Sequence, residues 1–250
     1  MEGVEKQLDL LGDDHVGLSA NSYPDLGLSV VGCRPFSAGG GSWRRFSKFY
    51  KRMYGLRNFQ DSTTQIVASA LAEPEHHNLI FLAHNGPSGL GEQADSICGI
   101  DWKLGEQGDM GDMDLHEAID DVSSRGRSLP LVVFGHMHEM LHRNAFPRVK
   151  RNMFHLDEKR NIAYVNCAVV PRIRRAQVGE NEENGGNGGE ASAPRQQHNF
   201  VLIELEEGKV QRVESIWIER NKEEGEGAFH IAERTEWYCL KQSTCKQLDC

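Results

Sequence analysis

Apolar and polar positions along this chain fall into short blocks, and the first block predicts a strand. In "LGLSVVGCRPFS" an apolar run from Leu26 to Val31 ends at a Gly-Cys-Arg-Pro turn. Next, "SWRRFSKFYKRMYG" sets Trp43, Phe46, Tyr50 and Met53 at helical spacing, with Arg44, Arg45, Lys48, Lys51 and Arg52 mostly elsewhere around the axis and Gly55 as the stop. This reads as a core-packed helix with a solvated basic face. A second helix is expected over "DSTTQIVASALAEP", capped by Asp61 or Ser62 and closed by Pro74. "NLIFLAHNGPSG" and "PLVVFGHMH" are near-continuous apolar runs broken by Asn-Gly-Pro and by Gly135, the pattern of strands buried on both faces. Between them "GDMGDMDLHEAIDDVSSRG" predicts a helix starting at Asp112 or Asp114 and ending near Gly126.

Beyond Arg143 the period shortens. "NIAYVNCAVV" and "FVLIELEEGKVQRVESIWIE" read as strands, and the Glu-Gly pair inside the second marks a hairpin. Val178 to Pro194 are rich in Gly, Asn and Glu and poor in apolar residues, which predicts a disordered surface loop. The expected class is α/β: one main domain over residues 1–222 that contains the loop 178–194, followed by a tail over 223–250.

Composition narrows the possibilities. The 250 residues suffice for one domain with a substantial core. At 38% apolar residues, with no unbroken apolar stretch near the length of about eighteen that a span needs, a membrane protein is not expected. The acidic opening "MEGVEKQLDL" resembles neither a signal nor a transit peptide. A net charge of -9 argues against general nucleic-acid binding. Six cysteines without a C-x-x-C pair fit a soluble protein in a reducing intracellular compartment, with Cys239, Cys245 and Cys250 as incidental thiols of a frayed tail.

Candidate chemistry lies at the ends of the two buried runs. His84 follows "IFLA", and His136 and His138 follow "LVVFG", so adjacent strands would deliver three imidazoles to one sheet edge, where ligands bind in open α/β sheets. Neutral imidazole ligates zinc, iron or manganese. Strand-end histidines also occur as hydrogen-bonded surface residues, and the spacing alone leaves both readings open.

Taken in order, "LSVVGCRPFS", "LIFLAHNGPSGLG", "CGIDW", "GDMGDMDLHEAI", "PLVVFGHMH" and "VVPRI" resemble the calcineurin-like metallophosphoesterase superfamily, in the branch found in plants and cyanobacteria, over roughly Leu8 to Glu219. The resemblance implies two packed mixed β-sheets flanked by helices, and two divalent ions (Mn, Fe or Zn) bridged by a carboxylate. Its reaction would be hydrolysis of a phosphomonoester or phosphodiester by metal-activated water. It implies that His84 and His136 ligate one ion and His138 the other. Of the five superfamily motifs this sequence holds the last two; D-x-H, G-D-x-x-D and G-N-H-D, with the acid-catalytic histidine of the last, would lie before Met1. No catalytic residue is therefore assigned.

Two look-alikes do not supply the missing ligands. Asp13 and His15 have D-x-H form without the following strand and helix, while Asp109 and Asp112 stand ahead of a helix that favours acidic caps. Arg34 and Asn85 are either phosphate contacts or a sheet-edge brace and a turn. Three imidazoles alone can hold one zinc but do not offset the repulsion between two dications. By this reading the chain is part of a metal-dependent phosphoesterase, inactive alone, with a phosphate-ester substrate as its partner. Alternatives are a truncated non-catalytic product that binds or competes with the intact enzyme, and a mononuclear three-His zinc hydrolase using Glu139 or Asp101 as base. Kinship points to the chloroplast. With the preceding strands gone, "LSVV", "LIFLA" and "PLVVF" are expected to leave an open edge or apolar trough beside exposed histidines.

Overall fold

The computed structural model describes residues 2–41, 43–176, 196–220 and 228–240. The disordered loop expected over 178–194 lies outside the described residues. The chain forms two compact units, residues 1–168 with 206–210, and residues 169–205 with 211–250; the boundary falls inside the region read as one domain.

In the first unit α1 (Glu2–Leu11) precedes a mixed six-stranded sheet of β1 (Ala20–Tyr23), β2 (Leu28–Gly32), β3 (Asn78–Leu82), β4 (Leu131–Phe134), β5 (Phe154–Asp157) and β6 (Ile162–Asn166), in the order β1-β2-β3-β4-β6-β5. The strands β2, β3, β4 and β6 run parallel, while β1 and β5 are antiparallel edges. The helices are α2 (Trp43–Tyr54), α3 (Phe59–Ala72) and α4 (Met113–Ser124). The helix α3 begins before the expected Asp61 or Ser62 because the Asn58 side chain accepts from the Asp61 amide at 2.8 Å and caps it.

The register explains the core. Val31, Phe81 and Val132 stand opposite one another on one sheet face, each fully buried, and pack with Ile66, Val67 and Ala70 of α3 and Leu115, Ala118, Ile119 and Val122 of α4. The expectation of strands stripped of neighbours is not met. Here β2 lies between β1 and β3, β3 between β2 and β4, and β4 between β3 and β6, so "ANSY" and "IAYVN" supply the ladder partners. The other face is less covered: Val30 and Ile80 are half-buried and Leu82 is 43% exposed.

The second unit is a four-stranded sheet in the order β10-β9-β8-β7, formed by β7 (Ile173–Arg175), β8 (Gln196–Glu206), β9 (Lys209–Arg220) and β10 (Phe229–Cys239). Its paired registers are antiparallel, so this sheet is not mixed as expected. Glu207 and Gly208 take φ of 50° and 71°, the left-handed pair that a tight hairpin between β8 and β9 requires. The region read as a tail contains β10, paired along its length with β9. No helix among the described residues is long and apolar enough to cross a membrane.

Candidate metal-binding edge of the parallel sheet

The strands β3 and β4 are parallel neighbours, and the ladder continues past both, with the Ala83 amide donating to Val133 at 2.9 Å and the Gly135 amide to His84 at 3.2 Å. His84 and His136, each two residues beyond its strand, therefore emerge at the same carboxyl edge. Their ring centroids are 5.1 Å apart with the planes tilted by 48°. His136 has a φ of 68°, a left-handed conformation that costs a non-glycine residue of order 1 kcal/mol or more.

The turn that bears His136 is held from behind. Asn166 Nδ2 donates to the Met137 carbonyl at 2.6 Å, Arg151 Nε donates to the His138 carbonyl at 3.1 Å, and the Glu139 amide donates to Ala168 at 3.0 Å. Buried Arg151 also donates to the carbonyls of Ala94, Ser96 and Gly99 and pairs with Asp101 at 3.0 Å. It ties the loop before α4 to the histidine turn.

His84 and His136 are both exposed residues, and the Phe36 ring lies 6.2 Å from that of His84. Burial, then the neighbouring His136 and then the Arg34 charge lower the His84 pKa to about 4. His136 is lowered by burial first and by His138 second, against a hydrogen bond with the Ala38 backbone. Near neutral pH both rings are thus uncharged.

Two imidazoles so placed suit one ion: a tetrahedral zinc held by each ring at about 2.0–2.1 Å sets their centroids about 5 Å apart. His138 lies in an adjoining recess of about 250 Å³, lined also by His136, His142, Asp101, Trp102 and Arg151. Among the described residues no group of three or more His, Cys, Asp or Glu side chains converges as a metal site. The residues present fit two ligands of a single ion; they do not complete a two-metal centre.

The look-alike carboxylates have other partners. Asp109 Oδ1 accepts from the Gly111 amide at 2.6 Å. Asp112 sits at the N-cap of α4 but makes no side-chain cap bond, correcting the cap reading; its carboxylate accepts from Ser37 Oγ at 2.5 Å and pairs with Arg34 at 2.9 Å. Arg34 also grips Asp114 with two bonds of 2.7 and 3.0 Å, donates to the Tyr50 hydroxyl at 3.1 Å, and lies 5.2–5.5 Å from the ring centroids of Trp43, Tyr50 and Phe59. With one cation facing two buried carboxylates, desolvation raises the Asp112 pKa against the pull of Arg34. Arg34 is a brace, not an open phosphate contact. Asn85 is fully buried, with Nδ2 on the Met110 carbonyl at 2.7 Å and Oδ1 without a hydrogen-bond partner.

A cleft of about 500 Å³ opens beside His84 and His136, bounded by Phe36, Ser37, Ala38, Arg45, Phe46 and Phe49. None of these was singled out as a site residue from the sequence. An amphipathic helix with Trp43, Phe46, Tyr50 and Met53 on its apolar side reads as a core helix, and its pattern does not distinguish a core from a cleft wall. Comparison with protein-family models, curated proteins and solved structures gives no match to this chain.

Proposed function

We propose that this chain forms part of a metal-dependent phosphoesterase, contributing His84 and His136 to one ion and His138 to a second, with the carboxylate ligands supplied from outside this sequence. The observation that carries the reading is the 5.1 Å approach of His84 and His136 at the ends of adjacent parallel strands. It is strengthened by the ordered motif resemblance and by the depressed pKa of both rings.

A divalent ion held by His84 and His136 would supply Lewis acidity to a phosphoryl oxygen and would lower the pKa of an attacking water. The chain's own residues do the rest. Neutral His84 and His136 offer lone pairs without first losing a proton. Arg45 at the cleft offers a guanidinium to phosphate oxygens. Arg34, paired with Asp112 and Asp114, holds the β2 turn against α4, and its charge disfavours protonation of His84.

Two alternatives are separated by assay. Because no third ligand converges with His84 and His136 among the described residues, the chain alone is expected to hydrolyse p-nitrophenyl phosphate, with zinc or manganese, no faster than its His136→Ala variant. Co-expression with a chain that carries the D-x-H, G-D-x-x-D and G-N-H-D motifs is expected to give metal-dependent turnover that His136→Ala abolishes. Fast His136-dependent turnover by the chain alone would favour a mononuclear zinc hydrolase, whereas no turnover in the co-expressed pair would favour a non-catalytic binding product.

A further inference from the structure

The cleft beside the histidine pair has a composition that the metal chemistry does not require. Three phenylalanines bound it: Phe36 meets Phe49 edge-on at 5.6 Å between centroids, Phe36 lies 6.2 Å from His84, and Phe46 carries the Arg45 guanidinium 5.4 Å from its ring centre. Phe36, Phe46 and Phe49 are each only half-buried, so part of every ring faces the opening. Phe36, like His136, takes a left-handed backbone, with φ of 57°. Two of the described chain's six non-glycine residues with positive φ thus border one cleft. Backbone strain of this kind persists where the surroundings dictate it, and here it turns an aromatic ring and an imidazole toward the same space.

The floor of the cleft is fixed. Ser37 Oγ donates to Asp112 and accepts from the Gly39 amide at 3.0 Å, which anchors the Phe36-Ser37-Ala38 wall to the buried Arg34 cluster. The opposite wall is one face of α2, with Phe46 and Phe49 packed edge-on against Tyr50 at 6.3 and 5.6 Å. These rings are held, so an incoming flat group meets a formed surface and orders little on binding.

We infer that this cleft is a substrate subsite for the aromatic, flat apolar alcohol portion of an aryl phosphate ester, its phosphate directed to the His84–His136 edge and to Arg45. The inference rests on the phosphoesterase reading above and adds the class of substrate. Aromatic walls with faces and edges both available favour a ring over a polyol, because a ring fills the volume and finds offset or edge contacts while a polyol loses hydration without gaining acceptors. Arg45, exposed at the mouth and carried on Phe46, is placed to meet an anion that enters beside the ring.

Equilibrium binding to the purified chain tests this without turnover, using calorimetry with 1-naphthyl phosphate, glycerol phosphate and 1-naphthol, with and without zinc. Naphthyl phosphate is expected to bind about tenfold tighter than glycerol phosphate through the buried ring, and tighter than naphthol. Phe46→Leu keeps an apolar side chain there and should reduce the preference for naphthyl over glycerol phosphate about threefold or more. Exposed Arg45→Gln, which should leave cooperative unfolding unchanged, is expected to weaken both phosphates several-fold and leave naphthol unaffected. If naphthyl phosphate binds no tighter than glycerol phosphate, the aromatic subsite is wrong while the phosphoesterase reading stands. If it binds no tighter than naphthol, the site does not read phosphate, and the inference falls together with the reading it rests on. Absence of binding by all three ligands also overturns the inference.

Discussion

Arg34 and Asp114, eighty positions apart, form a bidentate ion pair with bonds of 2.7 and 3.0 Å, 5% and 0% exposed. The pair joins the turn after β2 to the first turn of α4, and through Asp112 and Ser37 it fixes the wall of the aromatic cleft. Removing one partner of a buried pair leaves the other charge without compensation, so Arg34→Met is expected to destabilise the chain by about 3–5 kcal/mol. Arg34→Lys should recover only part of this, since a lysine cannot make the fork. Urea denaturation of the three proteins measures both; a loss below about 1 kcal/mol for Arg34→Met would remove the brace from the account.

The same cluster gives a pH signature. Burial raises the Asp112 carboxyl, so between about pH 4, the ordinary carboxylate value, and neutrality the native chain retains a proton that the unfolded chain has released. Its contribution to stability therefore falls as pH rises through that interval. His84 runs the opposite way: its folded pKa of about 4 lies below the unfolded 6.5, so its contribution rises with pH between those values. Comparing wild type with Asp112→Asn cancels the His84 term. Wild-type stability minus that of the variant is expected to decline steadily from pH 4 to 7, and a flat difference would count against a shifted Asp112.

Two glycines beside the histidines respond differently to a methyl group. A Cβ at Gly86 would meet the buried Phe134 ring and Cys98 Sγ at 2.5–2.6 Å, so Gly86→Ala must displace core atoms. At Gly135, inside the Gly-His-Met-His turn, the nearest atoms are 3.8 Å away and the backbone is not left-handed. Thermal denaturation should show Gly86→Ala destabilised by about 1–3 kcal/mol and Gly135→Ala close to wild type.

These contacts show which features are legible in the sequence. Strands β2, β3 and β4 and helices α2 and α4 follow from local apolar pattern and stop signals, and the turn after Glu206 follows from Glu-Gly. Strand β1 did not, because "ANSY" has no apolar run; its place comes from antiparallel pairing with β2. The partners of Arg34 were equally hidden, since neither the spacing of Asp112 and Asp114 nor their place before a helix tells a cap from a buried ion pair. His84 and His136 were visible as strand-end histidines. The adjacency of their strands is expected from the strand-helix-strand order and is met by the β3–β4 pairing, whereas the convergence of Phe36, Arg45, Phe46 and Phe49 on one opening depends on tertiary packing and is not written in any local period.

If His84 and His136 share one ion, zinc binding depends on both rings. In a competition titration against a chromophoric chelator at pH 7.5, the chain is expected to take up zinc in a manner that His84→Ala and His136→Ala each weaken by at least about tenfold, as loss of even an outer-shell partner does at metal sites. The double variant should be little worse than either single one, because both remove the same site. His155, exposed on β5, serves as the control, and His155→Ala should bind as wild type does. Zinc affinity indifferent to both His84→Ala and His136→Ala would show that the two rings do not share an ion.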